Sequence, residues 1–307
     1  MNDINHGINA PAYGIDPLSD VMQLLKLNVS IYHNAKVCGN WYMEDLQRRS
    51  SSFHVVTLGS CYLDAPGNFS GEIFEGDLII FPRALPHTLR PVGSIKGKQQ
   101  HLSFAEGENL SGTGLLCGEV SFQHLGSQYL LDALPPLLLI RYEQAKQWMK
   151  PLMEMVVAEN KSAGAVSKVI IDRLSELIFT YAIKEFVLKR PSQATIFSLY
   201  AHDRLALAVN EIHRQPGNDW TLDQLASRAM MSRTVFSEKF KLVSGWTVGK
   251  YILWWRMQIA WDLLHSGEAV SQVAEQVGYR SEAAFSRTFK KMFELSPGKV
   301  RRGLKKE

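Results

Sequence analysis

The sequence predicts an α+β protein with a small antiparallel β-barrel or sandwich near its N-terminus and an all-α C-terminal domain. Short β-rich runs such as FHVVTL and DLIIF alternate with Gly, Pro and Asn between Val29 and about Phe122. Apolar residues then return at helical spacing from Tyr142 to about Lys189. After Asp203 the chain is typical of helices joined by short turns, and it contains a repeated motif.

Composition places the chain among ordinary globular proteins. Of its 307 residues, 46% are hydrophobic and 21% charged, which excludes the disordered, collagen-like and coiled-coil classes. No apolar run approaches the roughly 18 residues of a membrane span, and the first residues resemble no signal peptide. Three cysteines are too few for a secreted disulfide scaffold, so we expect a cytoplasmic protein with no membrane partner.

Charge is unevenly distributed along the chain. Residues 203–307 hold 17 basic and 11 acidic side chains, a net charge of +6, whereas residues 1–202 carry −2. This pattern favours a near-neutral sensor or catalytic body joined to a nucleic-acid-binding C-terminal part. A solvated basic face without a partner is the alternative.

Two further helical regions are expected before the C-terminal part. PLSDVMQLLKLN, from Pro17 to Asn28, predicts a short helix. A break at Gly164 divides the later region into an αα-hairpin. Its apolar stripes should pack on the barrel and on each other, or less favourably form a homodimer seam, and they comprise Trp148, Leu152, Met155, Val156, Val169, Ile170, Leu174, Leu177, Ile178 and Tyr181.

The C-terminal part contains an internal repeat. SRTVFSEKFK (Ser232–Lys241) and SEAAFSRTFK (Ser281–Lys290) match at five of ten positions. Each copy begins with a Ser suited to N-capping, and its two Phe residues at i, i+4 spacing share one buried stripe. A short apolar helix and a tight turn precede each copy, which predicts two helix-turn-helix units. Between the copies, Thr247–His265 predicts one long helix that fixes their spacing.

These residues resemble the DNA-binding domain of AraC-type transcription regulators. The resemblance covers about Leu205–Arg302 and includes Arg256, the Ala274/Gly278 pair and the Ser296-Pro297 ending. It implies double-stranded DNA and RNA polymerase as partners. Val248 and Glu294 depart from the usual Pro and Gly, so Glu294 should cost on the order of 1 kcal/mol if its φ is positive.

The residues opposite the Phe stripes face outward and form the expected DNA interface. Five lie on each helix: Arg233, Thr234, Ser237, Glu238 and Lys241 on the first, and Glu282, Ala283, Ser286, Arg287 and Lys290 on the second. The resemblance implies base contacts at Thr234, Ser237, Glu238, Glu282, Ala283, Ser286 and Arg287. Arg287 is the strongest candidate because arginine can pair bidentately with guanine. Lys239, Lys241, Lys290 and Lys291 suit phosphates.

The N-terminal half is similar to a cupin-type sensor domain. EGDLIIFPRALPHTL (Glu75–Leu89) resembles the second cupin motif, and FHVVTLGSCYL the strand pair before it. With CGNW and LLCGEVSF, this is similar to the sensor of an AraC subgroup that includes regulators responding to reactive chlorine species. The expected domains are the cupin-like sensor at 17–142, the hairpin at 143–190, a linker at 191–203 and the DNA-binding domain at 204–302.

The cysteines are candidates for oxidant sensing. Cys38 lies near Lys36 and His33 in the sequence, which would favour its thiolate if they are close in space. Cys117 or Cys61 could then resolve the oxidised sulfur as a disulfide. Alternatively, all three are small buried hydrophobic residues.

A metal ion or a small organic effector in the barrel is the other possible signal. His54 and His87 are the candidate metal ligands, with Cys61 and His101 as possible neighbours, although a satisfied core histidine is the more common role. Apolar walls with a few polar groups, such as His54, His87 and Arg83, would suit an effector. No phosphate loop, GxSxG elbow or HExxH motif is present, so we expect no enzymatic activity.

Overall fold

The computed structural model of the protein describes residues 17–25, 27–45, 51–93, 95–122, 127–162, 166–189 and 195–303. They divide into two compact units. One is Leu24–Thr195, and the other joins the chain from Ile196 onward to the residues before Leu24. The expected break at Gly164 and the start of the expected linker lie outside the described residues.

The first unit is built on two antiparallel sheets, which confirms the predicted β-rich N-terminal part. Its strands are β1 (Leu27–Cys38), β2 (Met43–Asp45), β3 (Ser51–Leu58), β4 (Ser60–Ala65), β5 (Phe69–Phe74), β6 (Leu78–Phe81), β7 (His87–Arg90), β8 (Gln100–Leu102), β9 (Gly112–Phe122) and β10 (Leu138–Ile140). The larger sheet has the order β10-β6-β3-β9-β1-β8, and the smaller has the order β2-β7-β4-β5.

Alternating side chains of both sheets form the core of this unit. Val56, Leu115 and Cys117 from the larger sheet pack with Cys61 and Leu63 from the smaller one. Because successive strand residues point to opposite faces, the alternate residues of β3 and β9 face the other side of the larger sheet. Gly118 belongs to that outer set, since a Cβ there would lie 2.5 Å from the Phe53 ring. The larger sheet therefore buries both of its faces along β3.

The described residues of the first unit also form three helices. They are α2 (Ser127–Asp132), α3 (Tyr142–Ser162) and α4 (Ser167–Lys189). Helices α3 and α4 pack together, with the rings of Trp148 and Tyr181 stacked 5.2 Å apart, and α4 also contacts β1. The hairpin was expected to bury its apolar stripes, and this is right for Trp148, Leu152, Val156, Leu174 and Ile178.

The same expectation is wrong for the other half of the stripes. The side chains that remain exposed are Met155, Val169, Ile170, Leu177 and Tyr181. The sequence stripe is wider than the surface that the barrel and the partner helix can cover. Among the described helices, none is long and apolar enough to cross a membrane.

The second unit is helical throughout its described residues, as predicted. It holds α1 (Pro17–Leu25), of which the first seven residues belong to this unit, and a 3₁₀ turn at Ile196–Leu199. The later helices are α5 (Asp203–Arg214), α6 (Leu222–Arg228), α7 (Arg233–Ser244), α8 (Val248–His265), α9 (Val270–Gln276), α10 (Glu282–Phe293) and α11 (Pro297–Arg301). Helices α6 and α7 form one helix-turn-helix unit, and α9 and α10 form the other.

Local sequence explains where the repeated helices begin and end. The hydroxyls of Ser232 and Ser281 accept from the backbone N–H groups that open α7 and α10. Thr247 caps α8 in the same way, so Val248 begins that helix without the usual Pro. Glu294 has a φ of +60°, so the expected strain at this non-glycine residue is present.

Helix α1 begins at residue 17, the expected start of the sensor domain, and that domain boundary stays a prediction. Residues 17–23 cluster with the second unit because Asp20 contacts His213 of α5, with 2.9 Å between the carboxylate and Nδ1. The two residues are 193 positions apart in the chain, so local sequence carries no signal for this contact.

Candidate nucleic-acid interface and thiol site

The two recognition helices, α7 and α10, present a buried and a solvated face. Phe236 and Phe240 are fully buried in α7, and Phe285 and Phe289 occupy the same positions in α10. The expected DNA-facing side chains all lie outside these cores. Exposed are Arg233, Thr234, Glu238, Lys239, Lys241, Glu282, Ala283, Arg287 and Lys290, whereas Ser237 and Ser286 are half-buried.

Helix α8 holds both recognition helices. The Tyr251 ring packs edge-on against Phe240 of α7, at 5.7 Å between centroids. The Trp261 ring stacks on Phe289 of α10 at 5.9 Å. The two anchors are ten residues apart, about 15 Å along the helix axis. The sequence prediction that one rigid helix contacts both units is therefore correct.

Arg256 is the second element that joins the two helix-turn-helix units. Its Nε donates to the Pro216 carbonyl at 2.7 Å, and a terminal guanidinium nitrogen donates to the Asn218 carbonyl at 2.9 Å. These carbonyls lie in the loop before α6. Gly217 in that loop lies against Gly278 of the second helix-turn-helix unit. The guanidinium thus fixes the position of the loop without using any residue of the outward faces.

The basic side chains of the two helices differ in their local pairing. Arg233 lies 3.5 Å from the Asp223 carboxylate of α6. Arg287 makes no ion pair within the described residues, and its side chain is exposed. A guanidinium without an ion pair among the described residues is available for a bidentate contact with guanine or with a phosphate.

A buried aromatic cluster that the sequence did not suggest supports α8. His213 of α5 stacks on Trp255 at 3.5 Å between centroids. Its Nε2 accepts from the Tyr251 hydroxyl at 2.6 Å, and its Nδ1 donates to the Asp20 carboxylate. Burial lowers the pKa of His213 against the opposing effect of Asp20, and burial raises the pKa of Tyr251. His213 is therefore neutral at neutral pH.

The three cysteines are buried and lie in different places of the first unit. Cys117 of β9 and Cys61 of β4 face the core between the sheets. Cys38 ends β1 and pairs with Gly112 of β9, whereas Cys117 pairs with His33. Cys38 is thus five residues from the position opposite Cys117, about 16 Å along the strand.

The register also places Cys38 and Cys117 on opposite faces of the sheet. No irregularity separates the His33 and Cys38 positions, so residues an odd number apart on β1 point to opposite sides. A disulfide requires Cα atoms within about 7 Å. The expected Cys38–Cys117 bond therefore does not fit this register, and Cys61, which faces the core, is also on the other side from Cys38.

The neighbours expected to activate Cys38 differ in position and charge. Lys36 is buried two residues before Cys38 on the same strand face, and its Nζ donates to the Gly107 carbonyl at 3.0 Å. His33 points to the other face, and burial, aided by His101, lowers its pKa to about 4. Lys36 is therefore the basic residue that shares a strand face with Cys38, whereas His33 is neutral at neutral pH.

Cys61 is poorly suited to ionise. Burial, with smaller contributions from Glu72 and Asp77, raises the pKa of its thiol to about 12. Since the thiolate is the reactive species, the protonated Cys61 thiol is unreactive at neutral pH, and Cys61 serves as a core residue.

His54 and His87 lie together in the barrel, as the metal prediction required. Their Nε2 atoms are 2.7 Å apart, and His87 Nδ1 donates to the Leu85 carbonyl at 2.8 Å. Nε2 of a neutral His87 therefore accepts a hydrogen bond from Nε2–H of His54. Two nitrogen ligands of one tetrahedral zinc would lie about 3.3 Å apart. The described residues contain no group of three His, Cys, Asp or Glu that could hold a metal, so a metal here stays a prediction.

Comparison with known families agrees with both units. The profile of the cupin family matches residues 16–187, more than half of the chain, and that of a helix-turn-helix domain matches residues 225–303. Together with the fold, these matches define a DNA-binding regulator with an N-terminal cupin domain. The chain belongs to the AraC-type transcription regulators of this architecture.

Relatives of known name match almost the whole chain. The RCS-specific HTH-type transcriptional activator RclR of Escherichia coli (strain K12) is 28% identical over 296 residues, covering 94% of this chain and 97% of its own. The HTH-type transcriptional regulator AlkR of Acinetobacter baylyi is 26% identical over 300 residues, covering 92% and 98%. Both are named as transcription regulators and neither as an enzyme.

One solved structure similar to the C-terminal part contains DNA. It is the DNA-binding domain of AdpA, a global transcriptional factor, in complex with a target DNA. It is 28% identical, with a TM-score of 0.31, and covers 33% of this chain and 92% of that one.

Proposed function

We propose that the outward faces of α7 and α10 read two successive major-groove segments of one double-stranded DNA site. The observation that carries this proposal is the exposed polar face on each of two recognition helices that are anchored on one rigid helix, α8. Major-groove entries on one face of DNA are separated by one helical turn, about 34 Å. The net charge of +6 on residues 203–307 favours attraction to the phosphates.

The side chains divide into base-reading and phosphate-binding groups. Arg287 is assigned to guanine, and Glu238 and Glu282 are suited to accept from the cytosine amino group. Thr234, Ser237 and Ser286 can bond to either kind of base edge, and Ala283 can contact the thymine methyl group. Lys239, Lys241, Lys290 and Lys291 are assigned to phosphates, which position the protein without specifying sequence.

The direct test is the affinity of full-length protein for its own upstream region. Arg287→Ala should weaken specific binding by about 1–3 kcal/mol and relax base choice. Lys290→Ala should weaken specific and non-specific binding alike and lower the salt slope by about 1. Arg214→Ala, on α5, is the control with the same loss of charge and should leave specificity unchanged. Equal affinities for Arg287→Ala and Arg214→Ala would remove Arg287 from base recognition.

We further propose that the first unit senses an oxidant through Cys38. Two observations favour Cys38 over the other thiols: the buried ammonium of Lys36 lies on the same strand face, and the sulfur lies at the end of β1. The relative named as RCS-specific supports an oxidant as the signal, without indicating which cysteine reacts. In the reaction, the thiolate gives two electrons to hypochlorous acid, forming sulfenic acid and releasing chloride.

The strand register supports a sulfenic acid as the first stable product rather than an immediate disulfide. A bond from Cys38 to Cys117 or Cys61 requires β1 to leave its pairing with β9. That rearrangement would itself be a conformational signal for the DNA-binding unit. A direct effect on RNA polymerase and a homodimer stay predictions.

The thiol proposal is tested on reduced and hypochlorite-treated protein. Mass spectrometry of wild type should locate oxidation at Cys38, with a change in DNA occupancy or transcription. Cys38→Ser should abolish the change, whereas Cys61→Ser should retain it because the Cys61 thiol stays protonated. If Cys38→Ser responds like wild type, Cys38 is a structural residue.

A further inference from the structure

We propose that a cavity between the larger sheet and α3 binds an organic cation with an apolar body. The cavity has a volume of about 650 Å³ and lies wholly within the first unit. It lies at the junction of β3, the turn after β5 and helix α3, outside the core that fills the space between the sheets. Its size is in the range that holds small-molecule ligands. It is distinct from both the thiols and the His54–His87 pair.

The first argument is a buried hydroxyl that the fold leaves unsatisfied. Thr57 lines the cavity, is only 6% exposed, and its Oγ1 has no hydrogen-bond partner in the described part of the chain. Gly114 on the adjacent strand has no side chain to cover it, since a Cβ there would lie 2.6 Å from Oγ1. Burying a polar group without a partner is unfavourable, so a ligand N–H or O–H group that reaches the hydroxyl from the cavity would satisfy it.

The second argument is the charge of the same cavity. Glu75, Glu154 and Lys150 are its charged lining residues. Lys150 already lies 3.9 Å from the Glu154 carboxylate. Glu75 accepts a hydrogen bond from the Gly59 backbone but makes no ion pair with any described residue. The remaining charge is therefore negative, which favours a cation and disfavours a carboxylate.

The strand segment that carries Thr57 pairs with the turn that carries Glu75. Val56 precedes Thr57, and its carbonyl accepts from the backbone N–H of Gly76 at 2.7 Å, while its N–H donates to the Asp77 carbonyl at 3.2 Å. This pairing brings Thr57 beside the turn that carries Glu75. An ammonium group there can donate to the hydroxyl and lie near the carboxylate at the same time.

The remaining walls suit an apolar body. Met153 and Val157 of α3 line the cavity, and the Tyr142 ring packs over Gly76, where a Cβ would collide with it. Gly76 also has a φ of +84°, so both the backbone and the ring require glycine. The cavity therefore combines apolar walls with a few polar groups, which favours an amphipathic cation.

Three probes with the same eight-carbon chain separate charge from apolar binding. Calorimetry on the full chain would compare n-octylammonium, n-octanol and octanoate, each below its aggregation concentration. We expect octylammonium to bind at least about tenfold more tightly than octanol, and octanoate to bind most weakly. Equal affinities, or tighter binding of octanoate, would overturn the proposal.

Substitutions locate the binding in this cavity. Glu75→Gln should weaken the binding of octylammonium about tenfold without changing the affinity for octanol. Glu108 is an exposed carboxylate elsewhere in the unit, so Glu108→Gln should change neither affinity. Thr57→Val is nearly isosteric and removes an unsatisfied polar group. This substitution should weaken the binding of octylammonium several-fold, while the melting temperature of the free protein stays the same or rises.

The opposite signs for Thr57→Val separate a ligand-binding role from a folding defect. Unchanged octylammonium affinity in both Thr57→Val and Glu75→Gln would refute the site. The measurement uses free protein, so its outcome is independent of DNA recognition and of Cys38 oxidation.

Discussion

The two helix-turn-helix units have the same fold but place glycine at opposite positions. In the first helix-turn-helix unit, Met230 in the turn has a φ of +52°, and Gly245 after the recognition helix has a φ of +74°. In the second helix-turn-helix unit, Gly278 occupies the turn with a φ of +81°, and Glu294 follows the recognition helix with a φ of +60°. Each unit therefore tolerates one left-handed residue that is not glycine.

The surroundings explain which position requires glycine. A Cβ on Gly278 would lie 2.5 Å from the Gly217 carbonyl oxygen and 3.0 Å from the Arg256 guanidinium. Met230 is 64% exposed and Glu294 is also exposed. The comparison shows that the turn requires glycine where other backbone packs against it, as at Gly278, and accepts another residue where it is exposed, as at Met230.

Gly278→Ala should have the largest effect on this comparison. The added Cβ meets backbone rather than a flexible side chain, so we expect the second helix-turn-helix unit to lose about 3 kcal/mol of stability. Gly267→Ala is the matched control, because Gly267 also has a positive φ but no atom within 4 Å of a Cβ. It should cost about 1 kcal/mol.

Amide hydrogen exchange in α9 and α10 measures the loss of stability in both variants. Equal losses in Gly278→Ala and Gly267→Ala would show that φ alone, and not the contact with Gly217, sets the requirement.

The first helices of the two units differ at their N-termini. Thr221 and Gln224 form a capping box at α6, whereas Ala269 precedes α9 without a side-chain cap. Thr221→Ala should cost about 1 kcal/mol, and Ala269→Ser should stabilise α9 by roughly 0.5 to 1 kcal/mol. Chemical denaturation of the two variants gives both values, and a loss of stability on Ala269→Ser would contradict this account of α9.

Glu294→Gly should make the end of α10 resemble the end of α7. Glycine adopts a φ of +60° without the steric cost of a Cβ, although it has more freedom to lose on folding. We expect a net gain of roughly 0.5 to 1 kcal/mol in thermal or chemical unfolding. Gly245→Glu, the reciprocal change, should lose a similar amount, and a gain in both variants would refute the explanation.

Acid should destabilise the first helix-turn-helix unit more than the second helix-turn-helix unit. His213 supports α7 through Tyr251, and burial lowers its pKa in the folded protein below 6.5. The unfolded chain therefore binds more protons as the pH falls below 6.5, and stability is lost with acidification. Hydrogen exchange between pH 7.5 and 5 should show weaker protection in α7 than in α10. Equal changes in the two helices would contradict a role for His213.

Sequence predicts the helical unit well because its signals are local. The Ser caps, the Phe spacing and the strain at Glu294 each depend on residues within a few positions of one another. The contact between Asp20 and His213 depends on tertiary packing across 193 positions, and no local pattern indicates it.

The sensor site is less predictable for the same reason. The spacing of Cys38 and Cys117 gives no distance, whereas the pairing of β1 with β9 puts them on opposite faces about 16 Å apart. The unsatisfied hydroxyl of Thr57 becomes visible only when Gly114 and the turn at Gly76 are brought beside it. Predicting such sites requires strand register, which hydrophobic alternation alone does not fix.

A base-resolved footprint of wild type, Ser237→Ala and Arg287→Ala tests the central claim most directly. If each recognition helix reads its own segment, Ser237→Ala changes base preference in one segment, and Arg287→Ala changes it in the other, about ten base pairs away. If both substitutions alter the same bases, or Arg287→Ala leaves the footprint unchanged, the two helix-turn-helix units do not read DNA independently.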